Sequence, residues 1–353
     1  MNTTQVKAFG TESKDADLKE MKINRREVQP HDVEIDILYC GVCHSDIHTA
    51  RSDWPGTMYP AVPGHEIVGK ITKVGDGVTK FKAGDLAAVG CIVDSCRTCP
   101  SCKQDLEQYC ENGMVGTYNG KDKYLNSQTF GGYSEKVVVD ENYVLKVPAN
   151  LDLAAVAPVL CAGITTWSPL RHWHAGPGSK VAVTGLGGLG HMAIKLAKGL
   201  GAQVSLFSRT PAKEQAAKAL GADEVIISTD ANQMKAVKGK FDLIIDTVPY
   251  VHDLNPYVTT LHHSGTLVLV GYLGPLEPML NTAPMISGRK AISGSMIGGI
   301  KETQELLDFC GEKGIVSDIE LIKIQDINNA YERMIKSDVK YRFVIDMKSL
   351  KES

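Results

Sequence analysis

The stretch Lys180-Val-Ala-Val-Thr-Gly-Leu-Gly-Gly-Leu-Gly190 decides the architecture of the second half of the chain. Lys180–Thr184 is rich in β-branched residues and predicts a strand. Apolar residues then recur with the spacing of one helical face, at Leu189, Met192, Ala193, Leu196, Ala197 and Leu200. A G-x-G-x-x-G run alone is weak evidence, but the strand–turn–helix context that it requires is predicted here. We therefore expect a dinucleotide pyrophosphate at this turn, bound by Gly185, Leu186, Gly187, Gly188, Leu189 and Gly190 at the helix N-terminus.

Strand-like and helix-like runs alternate downstream of this turn. Strands are predicted at Val204–Phe207, Glu224–Ile227, Leu243–Ile245 and Leu267–Val270, and a helix at 212–220. Such alternation favours a parallel, doubly wound sheet of the Rossmann type. From about residue 296 the pattern changes, and a helix (301–313) and a strand (341–346) are expected to return to the first domain.

The first half of the chain is predicted to be an irregular β-rich domain. Short strand-like runs at 33–39, 67–74, 86–93 and 136–139 are separated by glycine and proline. The sequence thus predicts an α/β protein. Its expected domains are 1–157, 158–295 for the cofactor-binding domain, and 296–353 as a segment that rejoins the first domain.

Composition limits the classes of function. The net charge of −3 gives no electrostatic reason to expect nucleic acid or an anionic membrane as a partner. There is no run of 18 apolar residues and no apolar stretch typical of a signal peptide in the first 30 residues, so a cytoplasmic location is expected. The nine cysteines, an odd number, do not suggest a disulfide framework.

Four of these cysteines form a cluster with metal-ligand spacing. Cys96, Cys99, Cys102 and Cys110 follow C-x2-C-x2-C-x7-C. Four thiolates can close a tetrahedral shell around zinc, which is typical of a structural site in a long loop, here about 91–112. Unrelated buried thiols, an iron–sulfur cluster and a nucleic-acid-binding zinc ribbon are alternatives. The ribbon is disfavoured because acidic residues accompany the basic ones, at Asp94, Asp105, Glu107 and Glu111.

Three further candidate ligands are scattered along the chain. Cys43, His65 and Cys161 would, taken singly, more often be buried core residues than ligands. However, Gly41–Asp46 and Gly64–Glu66 lie in glycine- and proline-rich turns, where side chains are presented rather than packed.

These motifs resemble the zinc-dependent, medium-chain alcohol dehydrogenase family. The runs Gly-Val-Cys-His-Ser-Asp-Ile-His (41–48), Val-Pro-Gly-His-Glu (62–66), Leu-Cys-Ala-Gly-Ile-Thr (160–165) and Gly-Ser-Met-Ile-Gly (294–298) are most similar to its cinnamyl-alcohol-dehydrogenase branch, which includes bacterial NADPH-dependent aldehyde reductases. The likeness covers almost the whole chain. It implies a GroES-like catalytic domain and a Rossmann domain.

The resemblance also assigns roles at a catalytic zinc. It implies Cys43, His65 and Cys161 as ligands, with Glu66 as a further ligand in some states. Asp46 would accept the second ring N–H of His65, although a simple turn-capping role is the alternative. Ser45 and His48 match the inner and outer members of the family's proton relay. No role is expected for Cys40, Cys91 or Cys310.

The end of the strand that follows the glycine turn indicates which nicotinamide is bound. NAD enzymes usually carry an acidic residue there, whereas this chain has Ser208, Arg209 and Thr210. Lys213 would fall in the first turn of a helix, where a cation is disfavoured unless an anion binds beside it; a solvated lysine is the alternative. These residues favour NADP(H). By resemblance, the nicotinamide half would contact Thr165, Thr247, Gly271, Ser295, Met296 and Ile297.

The expected activity is hydride transfer between NADPH and an aldehyde, or a primary alcohol in reverse, with two zinc ions per chain. Its runner-up is an NAD-linked polyol or secondary-alcohol dehydrogenase. A zinc-ribbon module and a zinc-free quinone reductase or lens-type relative are the rivals from other classes. A broad aliphatic or aromatic aldehyde range is expected, because Met114–Tyr118 departs in length from plant members. Trp54 and Tyr118 are candidate pocket residues, and a homodimer is expected from the resemblance.

Overall fold

The computed structural model describes residues 2–352. Its internal contacts divide the chain into two compact units. The first contains the residues up to Cys161 together with those from Gly298 onward, and the second is Ala162–Ile297. These limits differ by a few residues from the domain boundaries expected from the sequence, which stay a prediction.

Strands form the sheets of the first unit and the central sheet of the second. Within residues 2–352 they are β1 (Thr3–Gly10), β2 (Lys19–Arg26), β3 (Asp32–Gly41), β4 (Ile67–Val74), β5 (Leu86–Val89), β6 (Ile92–Asp94), β7 (Val115–Gly116), β8 (Lys121–Asp122), β9 (Ser127–Gln128), β10 (Lys136–Asp140), β11 (Leu145–Lys146), β12 (Lys180–Thr184), β13 (Gln203–Ser208), β14 (Glu224–Ile227), β15 (Phe241–Asp246), β16 (Leu261–Leu269), β17 (Ala291–Gly294), β18 (Ile319–Lys323) and β19 (Arg342–Asp346).

Helices are short in both units. They are α1 (His44–Ala50), α2 (Pro100–Lys103), α3 (Leu153–Val156), α4 (Ala162–His172), α5 (Gly190–Gly199), α6 (Glu214–Ala219), α7 (Ala231–Ala236), α8 (Asn255–Thr260), α9 (Ala283–Gly288), α10 (Ile300–Lys313), α11 (Ile327–Ile335) and α12 (Lys348–Lys351). Turns of 3-10 helix lie at Glu107–Tyr109, Glu141–Tyr143, Ala157–Leu160, Pro211–Lys213 and Ile324–Asp326. No single helix in the described part of the chain is long and apolar enough to cross a membrane.

The main sheet of the first unit is built around β3. Six of its seven strands lie in the order β11-β5-β4-β3-β19-β18, and β10 also pairs with β3. Strand β19 pairs antiparallel with the end of β3, with Ile345 opposite Cys40, so the C-terminal segment is part of this sheet. The side chains of Ile35, Ile37 and Ile67 are fully buried. The two ends of the chain therefore share one core.

The second unit contains a six-stranded sheet whose paired strands are all parallel, in the order β14-β13-β12-β15-β16-β17. Its strands are apolar because both faces are covered. Phe207 and Phe241 meet edge to face with ring centroids 5.4 Å apart, and Tyr257 packs on Phe207 at 5.1 Å. This is the doubly wound arrangement that the alternation of strands and helices predicts.

Several predicted elements are confirmed and several are corrected. Strand 67–74 and strands 180–184 and 224–227 have the predicted limits. The predicted strand 86–93 is wrong, because the chain breaks at Gly90 and Cys91 into β5 and β6. The predicted helix 212–220 begins with a 3-10 turn and becomes α-helical only at Glu214.

Residues 3–26 form a hairpin that the sequence pattern did not predict. Strands β1 and β2 pair antiparallel over their whole length. Their side chains alternate only partly between buried and exposed, because β1 is exposed at its start and buried at its end. Since alternation is the sequence signal for a half-buried strand, this hairpin escaped detection.

Arg25 attaches this hairpin to the segment that precedes β10. Its guanidinium donates hydrogen bonds to the backbone oxygens of Phe130 (2.7 Å), Gly131 (2.8 Å) and Lys136 (2.9 Å), and to Ser134 Oγ (2.8 Å). Burial, and then the neighbouring charge of Arg26, lower the pKa of Arg25 to about 9. The side chain therefore stays charged at neutral pH, and its four hydrogen bonds all go to acceptors within residues 130–136.

We predict that Arg25→Met destabilises the first unit by about 3 kcal/mol, because the buried acceptors would lose a charged donor. Lys22→Met is the matched control, since Lys22 is exposed on the same strand and its removal should change stability by less than about 0.5 kcal/mol. Thermal unfolding of the three proteins measures the effect. Equal midpoints for wild type and Arg25→Met would show that Arg25 does not stabilise this unit.

Candidate metal centres and cofactor site

The four-cysteine cluster converges on one point in the loop between β6 and β7. The sulfurs of Cys96, Cys99, Cys102 and Cys110 all lie within 4.8 Å of one another. The sulfurs of Cys96 and Cys102 are 3.9 Å apart. A tetrahedral zinc site with Zn–S bonds of about 2.3 Å has S···S edges of about 3.8 Å. The spacing thus fits four thiolates around one zinc ion and is far too long for a disulfide.

Backbone N–H groups point at these sulfurs and favour their thiolate form. Cys99 N donates to the sulfur of Cys96 at 3.3 Å, and Cys96 N donates to that of Cys110 at 3.4 Å. Cys99 caps α2, where its sulfur accepts from Cys102 N at 3.5 Å. Hydrogen bonds from Asn112 and from the N–H groups of Thr98 and Cys99 lower the pKa of Cys96 to about 5. Backbone hydrogen bonds also lower the pKa of Cys99, whereas burial raises the pKa of Cys102 to about 11. The hydrogen bonds of the loop thus favour the thiolate form at Cys96 and Cys99.

A second group of donors gathers Cys43, His65, Glu66 and Cys161, whose ligand atoms also lie within 4.8 Å of one another. The sulfurs of Cys43 and Cys161 are 3.8 Å apart, although 118 residues separate them in the chain. The turn that presents His65 requires glycine. Gly64 has φ +102°, and a Cβ there would lie 2.7 Å from Tyr133 and 2.8 Å from the sulfur of Cys40. Two sulfurs and one imidazole are the donor set of a catalytic zinc site.

Asp46 both caps α1 and faces His65. Its Oδ1 lies 3.1 Å from His65 Nδ1 and accepts from Gly64 N at 3.1 Å. Its Oδ2 accepts from Cys43 N at 2.8 Å and from the hydroxyl of Tyr133 at 3.2 Å. Because an ionised carboxylate only accepts, Nδ1 of His65 must carry its proton, and Nε2 is left free to bind a metal. Asp46 therefore caps the start of α1 and orients His65 at the same time, so the two roles do not exclude each other.

Glu66 is fully buried and paired with Arg342 on β19. Its Oε1 accepts from Arg342 Nη2, which also donates to the backbone oxygen of Val42 at 2.9 Å. Its Oε2 has no hydrogen-bond partner among the described residues. Burial, opposed by the charge of Arg342, raises the pKa of Glu66 to about 7. Arg342, 276 residues away in the chain, holds Oε1 and leaves Oε2 without a partner within residues 2–352. Oε2 could therefore serve as an additional oxygen ligand to a metal ion bound by Cys43, His65 and Cys161.

The predicted relay residues lie one turn apart on α1. Ser45 Oγ is 3.7 Å from the sulfur of Cys43. His48 lies at the other end, where its Nδ1 is 2.8 Å from Asp53 Oδ2 and its ring centroid is 4.8 Å from that of Trp54. Asp53 was not among the predicted site residues, because nothing in its local sequence marks it.

Two other side chains lie next to the second centre. Tyr118 places its ring centroid 5.4 Å from that of His65. Cys91, to which no role was assigned, interacts with the side chain of Cys161, and its thiol donates to the backbone oxygen of Leu160 at 3.7 Å. The sequence offered no signal for Cys91, because its partner is distant in the chain.

In the second unit, the glycine turn joins β12 to α5. Gly185 has φ +87°, and a Cβ on Gly190 would collide with the backbone oxygen of Gly185. Both positions therefore require glycine. Helix α5 begins at Gly190 and has no side-chain N-cap hydrogen bond. Such a helix start, with small residues before it, can receive a phosphate through its backbone N–H groups.

The predicted residues for the 2′-phosphate lie together after β13. Ser208 Oγ donates to the backbone oxygen of Thr210 at 2.7 Å, which closes a tight turn. Lys213 reaches back to the glycine turn, where its Nζ donates to the backbone oxygen of Leu186 at 3.1 Å. Burial and the nearby charge of Arg209 lower the pKa of Lys213. Within residues 2–352 neither Arg209 nor Lys213 forms an ion pair, so these two cations suit an anionic ligand.

The residues predicted for the nicotinamide half follow the neighbouring strands. Thr247 comes directly after β15, and its Oγ1 donates to the backbone oxygen of Thr184 at 2.7 Å. Gly271 follows β16, where a Cβ would lie 2.9 Å from the oxygen of Val248. After β17, Ser295 N donates to Leu269 O at 3.1 Å, and Met296 and Ile297 come next. Thr165 lies on α4 and is buried.

A buried ion pair anchors the loop that carries Thr247. Asp246 exposes 1% of its surface, and its Oδ2 lies 3.1 Å from Nε2 of His252. Nδ1 of His252 faces the backbone oxygen of Tyr250 at 2.9 Å. Both ring nitrogens lie near acceptors, although Nε2 and Oδ2 do not form a hydrogen bond, and these contacts favour the protonated ring. Burial opposes this charge, but Asp246 and Tyr250 O raise the pKa of His252 overall.

Comparisons with known proteins match most of the chain. Residues 29–149 match the alcohol dehydrogenase GroES-like domain, and residues 188–312 match the zinc-binding dehydrogenase model. Aldehyde reductase YahK of Escherichia coli is 55% identical over 347 residues, which are 98% of this chain and 99% of that protein. NADP-dependent alcohol dehydrogenase C 1 of Mycolicibacterium smegmatis is 53% identical over 348 residues, again 98% and 99%. These matches confirm the predicted combination of a GroES-like and a Rossmann-type domain.

A solved structure is similar over the same range. The structure of CAD from Helicobacter pylori complexed with NADP(H) is 46% identical and has a TM-score of 0.91. It covers 98% of this chain and 99% of its own.

We predict two zinc ions per chain, one for each donor set. Cys96→Ser should lower the yield of folded protein, because a closed structural site contributes folding energy. Cys43→Ser should leave a folded protein that has lost activity and one zinc ion. Elemental analysis and thermal unfolding of protein never exposed to chelator test both statements. One zinc ion in the wild type would refute one of the two sites, and none would refute both.

Proposed function

Because the chain belongs to the zinc-binding alcohol dehydrogenase family, we propose that it is an NADP(H)-linked aldehyde reductase that also oxidises primary alcohols. The observation that carries this proposal is the donor set of Cys43, His65 and Cys161, with its two sulfurs 3.8 Å apart. Two sulfurs and one nitrogen leave a position for a substrate oxygen in a tetrahedral site, whereas the four-cysteine site is closed. The Cys43–His65–Cys161 site is therefore catalytic and the four-cysteine site structural.

The residues around the catalytic donors have separate tasks. Bound zinc supplies Lewis acidity to the carbonyl oxygen, and the reduced nicotinamide supplies the hydride. Asp46 holds His65 in the tautomer that presents Nε2. Glu66 keeps one oxygen free while Arg342 holds the other, so this carboxylate can serve as an alternative donor when the substrate leaves.

The chain also supplies a path for the proton that the product alkoxide takes up. Ser45, beside Cys43, is the inner donor, and His48, one helical turn away, is the outer member. Asp53 orients the imidazole of His48 through Nδ1. His48 suits the outer position because an imidazole can both accept and donate a proton, and this ring is partly exposed to solvent.

The cofactor is proposed to be NADP(H). Its pyrophosphate would lie on Gly185–Gly190 at the start of α5, and its 2′-phosphate at Ser208–Thr210 and Lys213. Support comes from the two unpaired cations and from the absence of a carboxylate at the end of β13 within the described chain. The nicotinamide contacts at Thr165, Thr247, Gly271 and Ser295–Ile297 remain a prediction from the resemblance.

The substrate range is proposed to cover aliphatic and aromatic aldehydes. Tyr118, beside His65, and Trp54, beside His48, are the aromatic side chains expected to contact the substrate. Oxidation of NADPH by a panel of such aldehydes tests the activity, and no turnover with any aldehyde or primary alcohol would refute it.

A homodimer and a cytoplasmic location also stay predictions. For the dimer, support comes from three apolar side chains in the segment that leads into the edge strand β17. Tyr272, Met279 and Ile286 expose 76%, 89% and 81% of their surface, which suits burial against a second copy.

We predict a preference for NADPH over NADH of about 10–1000-fold in kcat/KM, since the 2′-phosphate would gain one or two charge-assisted hydrogen bonds. Ser208→Asp should shift the preference toward NADH, because a carboxylate repels the phosphate and accepts from the ribose hydroxyl. Lys213→Met should raise KM for NADPH alone.

Lys218→Met is the matched control for Lys213→Met. Lys218 lies on α6, is exposed, and pairs with Glu214 at 2.6 Å, so its removal should leave KM for both cofactors unchanged. Equal kcat/KM for NADPH and NADH in the wild type would contradict the assignment and favour the NAD-linked alternative.

We predict that Ser45→Ala lowers kcat by about 10²–10⁴-fold and that His48→Gln lowers it by an amount near the bottom of that range. The inner hydroxyl has no substitute, whereas water can replace the outer member. Steady-state rates of alcohol oxidation, compared at equal zinc content, measure both effects. A normal kcat for Ser45→Ala with zinc fully bound would require a different proton path.

A further inference from the structure

Two buried tyrosines flank strand β10, and each lies behind one of the two metal centres. Tyr133 is fully buried and Tyr143 exposes 2% of its surface. Tyr133 reaches the catalytic donors through Asp46, and Tyr143 reaches the structural donors through Ser95. One short segment of chain therefore contacts both centres, in each case through a single intermediate side chain.

The hydroxyl of Tyr133 completes the hydrogen bonding of Asp46. It lies 3.2 Å from Oδ2, and Oδ1 of the same carboxylate lies 3.1 Å from His65 Nδ1. Since the carboxylate only accepts, the tyrosine donates. The backbone of Tyr133 also donates to Pro63 O at 3.0 Å, which fixes it against the turn that carries His65. The path from tyrosine to imidazole is thus rigid at both ends.

The hydroxyl of Tyr143 acts in the same sense on the cysteine cluster. It lies 2.7 Å from Ser95 Oγ, which lies 3.2 Å from the sulfur of Cys102. A metal-bound sulfur is a thiolate and only accepts, so Ser95 donates to Cys102 and Tyr143 donates to Ser95. The guanidinium of Arg97 stacks on the tyrosine ring at 5.0 Å and holds it in place.

Both hydroxyls are protonated near neutral pH, as a phenol ordinarily is, so both can donate. Burial raises the pKa of each further above its ordinary value. Removal of either hydroxyl would leave a buried acceptor with one donor fewer, beside a ligand whose orientation and basicity depend on that acceptor. The rings themselves would remain packed in a phenylalanine variant.

We propose that Tyr133 and Tyr143 are positioning residues for zinc, each of which slows the loss of the metal from one centre only. Tyr133 acts on the catalytic centre through Asp46 and His65, and Tyr143 acts on the structural centre through Ser95 and Cys102. This inference rests on the two zinc centres of the proposed function.

The test is the release of zinc from the full-length, zinc-loaded protein to an excess of a chromogenic chelator. The wild type should release zinc in two phases, and the phase that Cys43→Ser lacks belongs to the catalytic centre. Tyr133→Phe should accelerate that phase about tenfold or more and leave the other unchanged. Tyr143→Phe should do the reverse, and Ser95→Ala should match it.

Each tyrosine variant is the control for the other, since both remove one hydroxyl from a buried ring in the same unit. The double variant Tyr143→Phe/Ser95→Ala should be no faster than either single variant, because both act on one path. Acceleration of both phases by both variants would indicate general loosening and overturn the inference, as would unchanged release in both. A wild type with fewer than two zinc ions would instead refute the metal centres of the proposed function.

Discussion

The arrangement of the candidate ligands Cys43 and His65 depends on one buried carboxylate, that of Asp46. It accepts from the backbone N–H groups of Cys43 and Gly64, from the hydroxyl of Tyr133, and faces Nδ1 of His65. A fully buried carboxylate is costly unless its oxygens are satisfied, and here four donors satisfy it. The same contacts start α1, close the turn at Gly64 and orient the imidazole. The carboxylate that caps α1 is thus the same one that orients the candidate ligand His65, so a substitution of Asp46 would affect both.

In the second unit, the charged side chains at the predicted cofactor site are cations rather than a carboxylate. Its parallel strands end at one edge, where the glycine turn, the uncapped start of α5 and the cations Arg209 and Lys213 lie. Desolvation and mutual repulsion disfavour the charge on Lys213 in the absence of an anion. A phosphate would relieve both. The positive charges that follow β13 therefore favour a cofactor with an additional phosphate, such as NADP(H), over one without it.

The family assignment removes the rivals that the sequence left open. A zinc-ribbon module does not account for a Rossmann-type domain that matches zinc-binding dehydrogenases. A zinc-free relative does not account for two sets of donors, each within 4.8 Å. The distances of 3.9 and 3.8 Å between paired sulfurs suit one metal ion at each centre rather than disulfides.

The sequence by itself determined the features that depend on near neighbours in the chain. The glycine turn with its strand and helix, the four-cysteine spacing and the parallel sheet all follow from patterns a few residues long. The grouping of Cys43 with Cys161 came from family resemblance, because no local pattern links residues 118 positions apart. Only the tertiary structure decided that Arg342 holds Glu66, and that the hydroxyls of Tyr133 and Tyr143 hydrogen-bond Asp46 and Ser95. Periodicity tells which side of a strand is buried, but the partner of a buried polar group is set by which strands pair, as β19 pairs with β3.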